Sequence, residues 1–146
     1  MKRAILMFSL LALAACVPPV LMPPPPPPGP PAAIPAPGAR VFTVYFGFNR
    51  SSIGPSAMAV LQQVAAVYRA GGVASVQVTG HTDTAGSAGY NKRLSDRRAR
   101  NVARALIRMG VPAPAITVGG VGESDLAVPT ANGVREPRNR RVTIVE

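Results

Sequence analysis

The chain of 146 residues has no tryptophan, one cysteine, one histidine and only six acidic residues. Three of its four phenylalanines fall in one apolar segment, 41–48, so no aromatic set is spread out to stack on nucleic-acid bases. A single histidine and the lack of a nucleophile motif leave little support for a zinc site or a hydrolytic triad. We therefore expect a protein that is not an enzyme, does not bind nucleic acid, and uses no cofactor or metal.

The first 15 residues have the pattern of an export signal, because two basic residues precede the apolar run 4–13. That run is too short to span a bilayer as a helix. The segment ends in LAAC, and its Cys16 is unpaired, although exported proteins usually pair their cysteines. LAAC resembles the lipobox of bacterial lipoproteins, which implies cleavage before Cys16, its acylation and a membrane anchor. An ordinary signal with a chance cysteine is the alternative.

The residue that follows Cys16 bears on which membrane would hold the anchor. In the lipoprotein class an Asp at this position implies retention in the inner membrane, whereas here Val17 follows. The resemblance therefore implies the periplasmic face of the outer membrane. Several acyl chains together would anchor the protein stably.

Residues 17–38 contain twelve prolines and no charged residue. Such a segment adopts polyproline II and could hold a domain up to about 70 Å from its anchor. We therefore divide the chain into a signal peptide, 1–15, a lipidated N-terminus with a Pro-rich tether, 16–39, and one globular domain, 40–146.

The domain is basic, since 14 basic and six acidic side chains remain after the signal segment, a net charge of +8 against +10 for the whole chain. A basic surface suits anionic partners such as nucleic acid, acidic lipid or a polymer that carries carboxylates. Because we expect the protein to be exported, nucleic acid is the least expected of these partners.

Residues 40–146 read as strands that alternate with helices. Four β-branched or apolar segments predict strands: 41–48, 73–80, 116–122 and 140–145. Two segments predict helices, one from Pro55 to the Gly71-Gly72 pair and one from about Gly89 to Met109. Residues 123–139 predict a polar loop with one helical turn. The alternation predicts an α/β fold (an α+β sandwich), in which two main helices pack on a small mixed four-stranded sheet.

One arginine of the second helix falls on its apolar side. Arg98 lies one turn after Leu94 and one turn before Val102, within the stripe that should be buried. The other arginines of this helix share the opposite, solvated side, which we call the basic face: Arg93, Arg97, Arg100, Arg104 and Arg108. A buried guanidinium is costly unless it is paired, so we expect an anion beside Arg98.

Asp83 follows the second predicted strand and so lies at its carboxyl end, where ligands commonly bind to sheets. It could pair with Arg98 directly, or it could bind the cation of a ligand while Arg98 and helix N–H groups bind a carboxylate. The residues alone leave both interpretations open. His81, Asp83 and Ser87 could be imagined as a hydrolase set or metal site, but we expect His81 to shape the loop or line a site.

The basic face supports a second class of function, docking to another protein or to anionic lipid. Basic helix surfaces are common, so an ordinary solvated face is an equally simple interpretation. Salt distinguishes the two classes of binding, because attraction by scattered surface charges fades steeply with ionic strength.

Five motifs lie in order along Val41 to Glu146: YFGFNRSSI, GHTDTAG, YNKRLSDRRARNV, GVGES and NRRVTI. They resemble the OmpA C-terminal-like family, which is also found in peptidoglycan-associated lipoproteins. The resemblance implies a β/α sandwich that binds peptidoglycan noncovalently by holding meso-diaminopimelate of the stem peptide, and so tethers the outer membrane to the cell wall. Tol–Pal-type envelope proteins are implied partners, although no residue here identifies them. Gly47 departs from the pattern, since many members have an acid there.

The resemblance also implies roles for single residues. Asp83 would hold the ammonium of diaminopimelate, and Arg98 would hold its carboxylate. Asn91 and Leu94 match two further motif positions on the helix, and Leu94 is also a core candidate. Asn49 matches a polar position near the site and is an equal candidate for a turn residue.

Overall fold

The computed structural model of the protein describes residues 39–71 and 73–146. The predicted signal peptide, the lipidation site at Cys16 and the tether up to residue 38 lie outside the described residues. In chain order the elements are β1 (Val41–Tyr45), α1 (Pro55–Arg69), β2 (Val76–His81), α2 (Ala88–Arg108), β3 (Ile116–Gly122) and β4 (Arg141–Val145). Short 3₁₀ turns precede β3 at Ala113–Ala115 and β4 at Pro137–Asn139.

The four strands form one mixed sheet in the order β1-β4-β2-β3. β4 pairs antiparallel with β1 and with β2, whereas β2 and β3 are parallel. The predicted α+β sandwich is confirmed, although β1 ends three residues earlier than the apolar run 41–48 and β2 begins three residues later than residue 73.

Both helices pack on one face of the sheet and form the core with it. α1 buries Leu61 and Val64, and α2 buries Val102 and Leu106 at the spacing of one helical face. Alternate strand residues supply the other layer, because successive side chains point to opposite faces: Val44, Val76, Val78, Val142 and Ile144. No helix in the described part of the chain combines the length and the apolar character needed to cross a membrane.

Two glycines set how closely α2 approaches the sheet. A Cβ added to Gly80 of β2 would lie 2.1 Å from the carbonyl oxygen of Ser95, and one added to Gly120 of β3 would lie 2.4 Å from the amide nitrogen of Asp96. Any larger residue would push the helix away. The first half of α2 therefore lies directly on the carboxyl ends of the two parallel strands.

Candidate functional site

A pocket of about 300 Å³ lies where the loops after β1 and β2, the start of α2 and the loop before β4 meet. Four of the five residues that the sequence predicts for ligand binding line this pocket: Asn49, Asp83, Asn91 and Leu94. Arg98, the fifth, does not line it. The other lining side chains of note are Phe48, Tyr90 and Arg135.

The carboxylate of Asp83 is buried and held on one side only. Its Oδ2 lies 3.1 Å from Nη1 of Arg140 and accepts a hydrogen bond from the backbone N–H of Glu136 at 3.3 Å. Arg140 is itself fixed, since its Nε donates to the carbonyl of Phe46 at 3.1 Å. Oδ1 accepts no hydrogen bond from the described residues, so a lining carboxylate keeps one oxygen for a cation in the pocket.

Arg98 is completely buried, as its place in the apolar stripe predicts. Its guanidinium donates to three backbone carbonyls: from Nε to Arg50 at 2.8 Å, from Nη1 to His81 at 2.8 Å and from Nη2 to Gly47 at 3.1 Å. These carbonyl dipoles replace the water that the cation loses. Arg98 therefore joins the loop after β1 to the end of β2.

The possible direct salt bridge between Arg98 and Asp83 is not formed, because Asp83 is paired with Arg140 instead. The expected anion is nearby as Asp83, but backbone carbonyl oxygens, rather than a carboxylate, accept the hydrogen bonds of the Arg98 guanidinium. Burial lowers the pKa of Arg98 to about 10, while the nearby Asp83 charge acts in the opposite direction. Arg98 thus remains charged at neutral pH.

Asn91 and Leu94, one turn apart on α2, form part of the pocket wall. The side-chain amide of Asn91 donates to the carbonyl of Asp83 at 3.2 Å and to the carboxylate of Glu123. Its Oδ1 is buried and has no partner among the described residues. Leu94 is buried but lies outside the main hydrophobic cluster. Asn91 therefore positions the backbone of Asp83, and Leu94 supplies an apolar surface.

Asn49 combines the two roles that the sequence left open. Its φ of 55° is left-handed, a conformation that Asn tolerates better than most residues, so it makes the turn after β1. Its side-chain oxygen also accepts a hydrogen bond from the hydroxyl of Tyr90, and both residues line the pocket. Tyr90 was not predicted as a site residue, although it belongs to the motif that opens α2.

His81 shapes a loop and does not line the pocket. Its Nε2 lies 3.1 Å from Oγ1 of Thr143, and its Nδ1 lies 3.2 Å from the backbone oxygen of Asp125. The Asp125 carboxylate is also 3.2 Å from Nη2 of Arg141. Burial and the Arg141 charge lower the pKa of His81 to about 4, so the ring is neutral at neutral pH.

The residues imagined as a hydrolase set have three separate roles. His81 holds the loop after β3, Asp83 pairs with Arg140, and Ser87 caps α2 by accepting from the backbone N–H of Tyr90. Within residues 39–71 and 73–146, no three His, Cys, Asp or Glu side chains lie close enough to hold a metal ion together. The five arginines of the basic face are all exposed, as their helical positions predict.

The profile of the OmpA family matches residues 45–140. An outer membrane protein of Gluconacetobacter diazotrophicus is 42% identical over 113 residues, which cover 73% of this chain and 30% of that protein. The outer-membrane lipoprotein YfiB of Pseudomonas aeruginosa is 36% identical over 102 residues, which cover 70% of this chain and 61% of YfiB. The chain thus spans less than two thirds of the length of either relative.

The fold has solved counterparts. The crystal structure of the peptidoglycan-associated lipoprotein from Burkholderia pseudomallei aligns with a TM-score of 0.65 and 29% identity, covering 70% of this chain and 87% of that one. The OmpA-like domain of FopA1 from Francisella tularensis aligns with a TM-score of 0.65 at 21% identity, covering 74% of this chain and 71% of that one, a likeness of fold alone.

Proposed function

Because the chain belongs to the OmpA family, we propose that it binds peptidoglycan noncovalently through the pocket around Asp83. The ligand is the free end of meso-diaminopimelate in the stem peptide, which carries an ammonium and a carboxylate on one carbon. The observation that carries the proposal is the state of Asp83, a buried carboxylate with Oδ2 bound to Arg140 and Oδ1 left for the ammonium. An ammonium that leaves water needs such a counter-charge.

Arg98 is part of the proposed site. The family resemblance assigns it the ligand carboxylate, but Arg98 has no exposed surface here. Direct contact therefore requires that one of the segments around it move. Without such movement, Arg98 supports the site by holding the carbonyls of Gly47, Arg50 and His81 around a buried positive charge. Asn49, Asn91 and Leu94 form the walls against which the peptide would pack.

The family also supports a binding function over a catalytic one, because OmpA domains are non-catalytic modules. We further propose that the protein is an outer-membrane lipoprotein acylated at Cys16, with the domain held in the periplasm by the Pro-rich segment. The LAAC sequence and the lipoprotein names of two similar proteins support this location. Incorporation of labelled palmitate that is lost in Cys16→Ser would test it. Tol–Pal-type partners stay a prediction of the resemblance.

Cosedimentation with purified diaminopimelate-type sacculi tests wall binding and separates it from docking through the basic face. The full-length protein should sediment with sacculi at low and at physiological salt, and Asp83→Asn should not. A variant with all five basic-face arginines changed to Gln should keep most of its binding at physiological salt, where exposed charges are largely screened. Loss of binding in that variant, with Asp83→Asn unaffected, would identify the basic face as the wall contact and refute the pocket.

A further inference from the structure

We propose that Arg135 receives the carboxylate of the bound diaminopimelate and thereby makes the pocket prefer diaminopimelate over lysine. The proposal rests on the proposed wall-binding function and names the residue that would set its peptide selectivity. It concerns the loop before β4, in which the sequence motifs predict no site residue.

Arg135 is an exposed cation in the wall of the same pocket as Asp83. Its guanidinium carbon lies 3.9 Å from the centre of the Phe48 ring, so the aromatic face supports the planar group. It forms no ion pair with any carboxylate of the described residues. The N–H groups along the edge of a guanidinium stacked in this way are available to a ligand.

Arg98 of α2 and the two arginines that follow Arg135 in the loop before β4 already have partners. Arg98 donates to three backbone carbonyls and is completely buried. Arg140 is paired with Asp83, and Arg138 is paired with Glu136. Arg135 is therefore the lining guanidinium that a carboxylate can reach without breaking an existing contact.

The backbone on both sides of Arg135 is tied to the segment that carries Asp83. On one side, the N–H of Gly133 donates to the carbonyl of Thr84 at 2.9 Å, and the N–H of Val134 donates to its hydroxyl at 3.2 Å. On the other side, the N–H of Glu136 donates to the Asp83 carboxylate at 3.3 Å. The loop thus holds the base of the Arg135 side chain in a fixed place relative to the Asp83 carboxylate.

An amino-acid head group matches this arrangement of opposite charges. Its ammonium would bind the buried Asp83, and its carboxylate would extend toward Arg135 and form the paired hydrogen bonds that a guanidinium favours. Lysine has the same terminal ammonium but no carboxylate beside it. The difference in affinity between the two peptides should therefore depend on Arg135.

The test is calorimetric titration of the full-length protein in detergent with two stem tripeptides, one ending in meso-diaminopimelate and the other in L-lysine. We expect the wild type to bind the diaminopimelate peptide at least about tenfold more tightly than the lysine peptide. A factor of this size corresponds to the free energy of one hydrogen-bonded charge pair. Arg135→Gln should lower that affinity to the level of the lysine peptide and leave the lysine peptide unchanged. Arg135→Lys should keep part of the preference. Arg100→Gln, which removes the same charge from the basic face, should behave as wild type.

Each other outcome overturns the proposal. If Arg135→Gln weakens both peptides equally, Arg135 shapes the pocket and does not recognise the carboxylate. If the substitution changes neither affinity, or if the wild type binds both peptides equally, Arg135 plays no part in selectivity while wall binding stands. If the wild type binds neither peptide but still sediments with sacculi, the ligand is a different part of the wall. If it does neither, the proposed function itself fails.

Discussion

The carboxylate of Asp83 is paired with Arg140 at 3.1 Å, although the two residues are 57 positions apart. Both side chains are mostly buried, with exposed fractions of 4% and 12%. The pair and the backbone N–H of Glu136 both contact Oδ2 of Asp83, and Oδ1 accepts no hydrogen bond from the described residues. Arg140 is therefore a positioning residue for the carboxylate that the proposed function requires.

Breaking this pair should destabilise the fold. Asp83→Asn leaves Arg140 without a counter-charge in a mostly buried place and should lower the free energy of unfolding by about 3 kcal/mol. Arg140→Gln should have a similar effect, and the double variant should lose clearly less than the two losses added together. Urea denaturation of the three variants measures this coupling. Additive losses would show that the two charges do not depend on each other.

Arg98 should be needed for stability whether or not it contacts a ligand. Arg98→Met removes the guanidinium that donates to the carbonyls of Gly47, Arg50 and His81, and we expect a loss of at least about 3 kcal/mol in the free energy of unfolding. Arg100→Met, on the exposed side of the same helix, should change stability by less than about 0.5 kcal/mol. Chemical denaturation of both variants checks the prediction, and equal stabilities would contradict the role given to the three hydrogen bonds.

The close contact between α2 and the sheet should not tolerate a side chain at position 80. Gly80→Ala places a Cβ against the backbone oxygen of Ser95 and should cost about 2 to 3 kcal/mol, because helix and strand must move apart. Gly119→Ala is the matched control, since nothing lies within 4 Å of its added Cβ. Thermal unfolding of the pair tests the contact. A Gly80→Ala protein as stable as the Gly119→Ala protein would rule it out.

His81 should make stability fall in mild acid. Its pKa drops from 6.5 to about 4 in the folded protein, so the unfolded chain takes up this proton first as the pH is lowered. Its contribution to stability is complete above about pH 6.5 and is lost progressively as the pH falls toward about 4, by about 2 kcal/mol between pH 7 and pH 5. His81→Gln should lack this part of the pH dependence.

Urea denaturation of the wild type and His81→Gln at pH 7 and pH 5 measures the difference. The wild type should lose about 2 kcal/mol more than the variant over this interval. Equal losses would mean that other groups cause the acid sensitivity and that the buried His81 ring does not resist protonation.

Helical phase and strand patterns were enough to predict the elements and the burial of Arg98. The boundaries of α2 depend on local signals such as the Ser87 cap and Gly110, whose φ of 97° suits the end of a helix. The partner of Asp83 could not be predicted in this way. It depends on β4 lying beside β2, where Gly80 pairs with Val142, and this strand order is set by the whole fold.

The carbonyl partners of Arg98 and the place of Arg135 were missed for a related reason. Gly47, Arg50 and Arg135 lie in irregular loops, whose backbone follows no periodic pattern that a sequence reveals. The NRRVTI motif was the one signal that could have pointed to Arg140, because a basic residue at the start of a predicted strand is a candidate counter-charge for a buried acid. Arg135 precedes that motif and gives no comparable signal.

The proposed function requires that Asp83 bind the free ammonium of the stem peptide. It is tested most directly by titrating the full-length protein with the meso-diaminopimelate tripeptide and with the same peptide acetylated on its distal amine. Acetylation should lower the affinity of the wild type by at least about tenfold, since it removes the cation. Asp83→Asn, checked for folding by circular dichroism, should bind both peptides equally weakly, whereas Asp96→Asn on α2, which does not line the pocket, should behave as wild type. An acetylated peptide that binds the wild type as tightly as the free amine would contradict the claim.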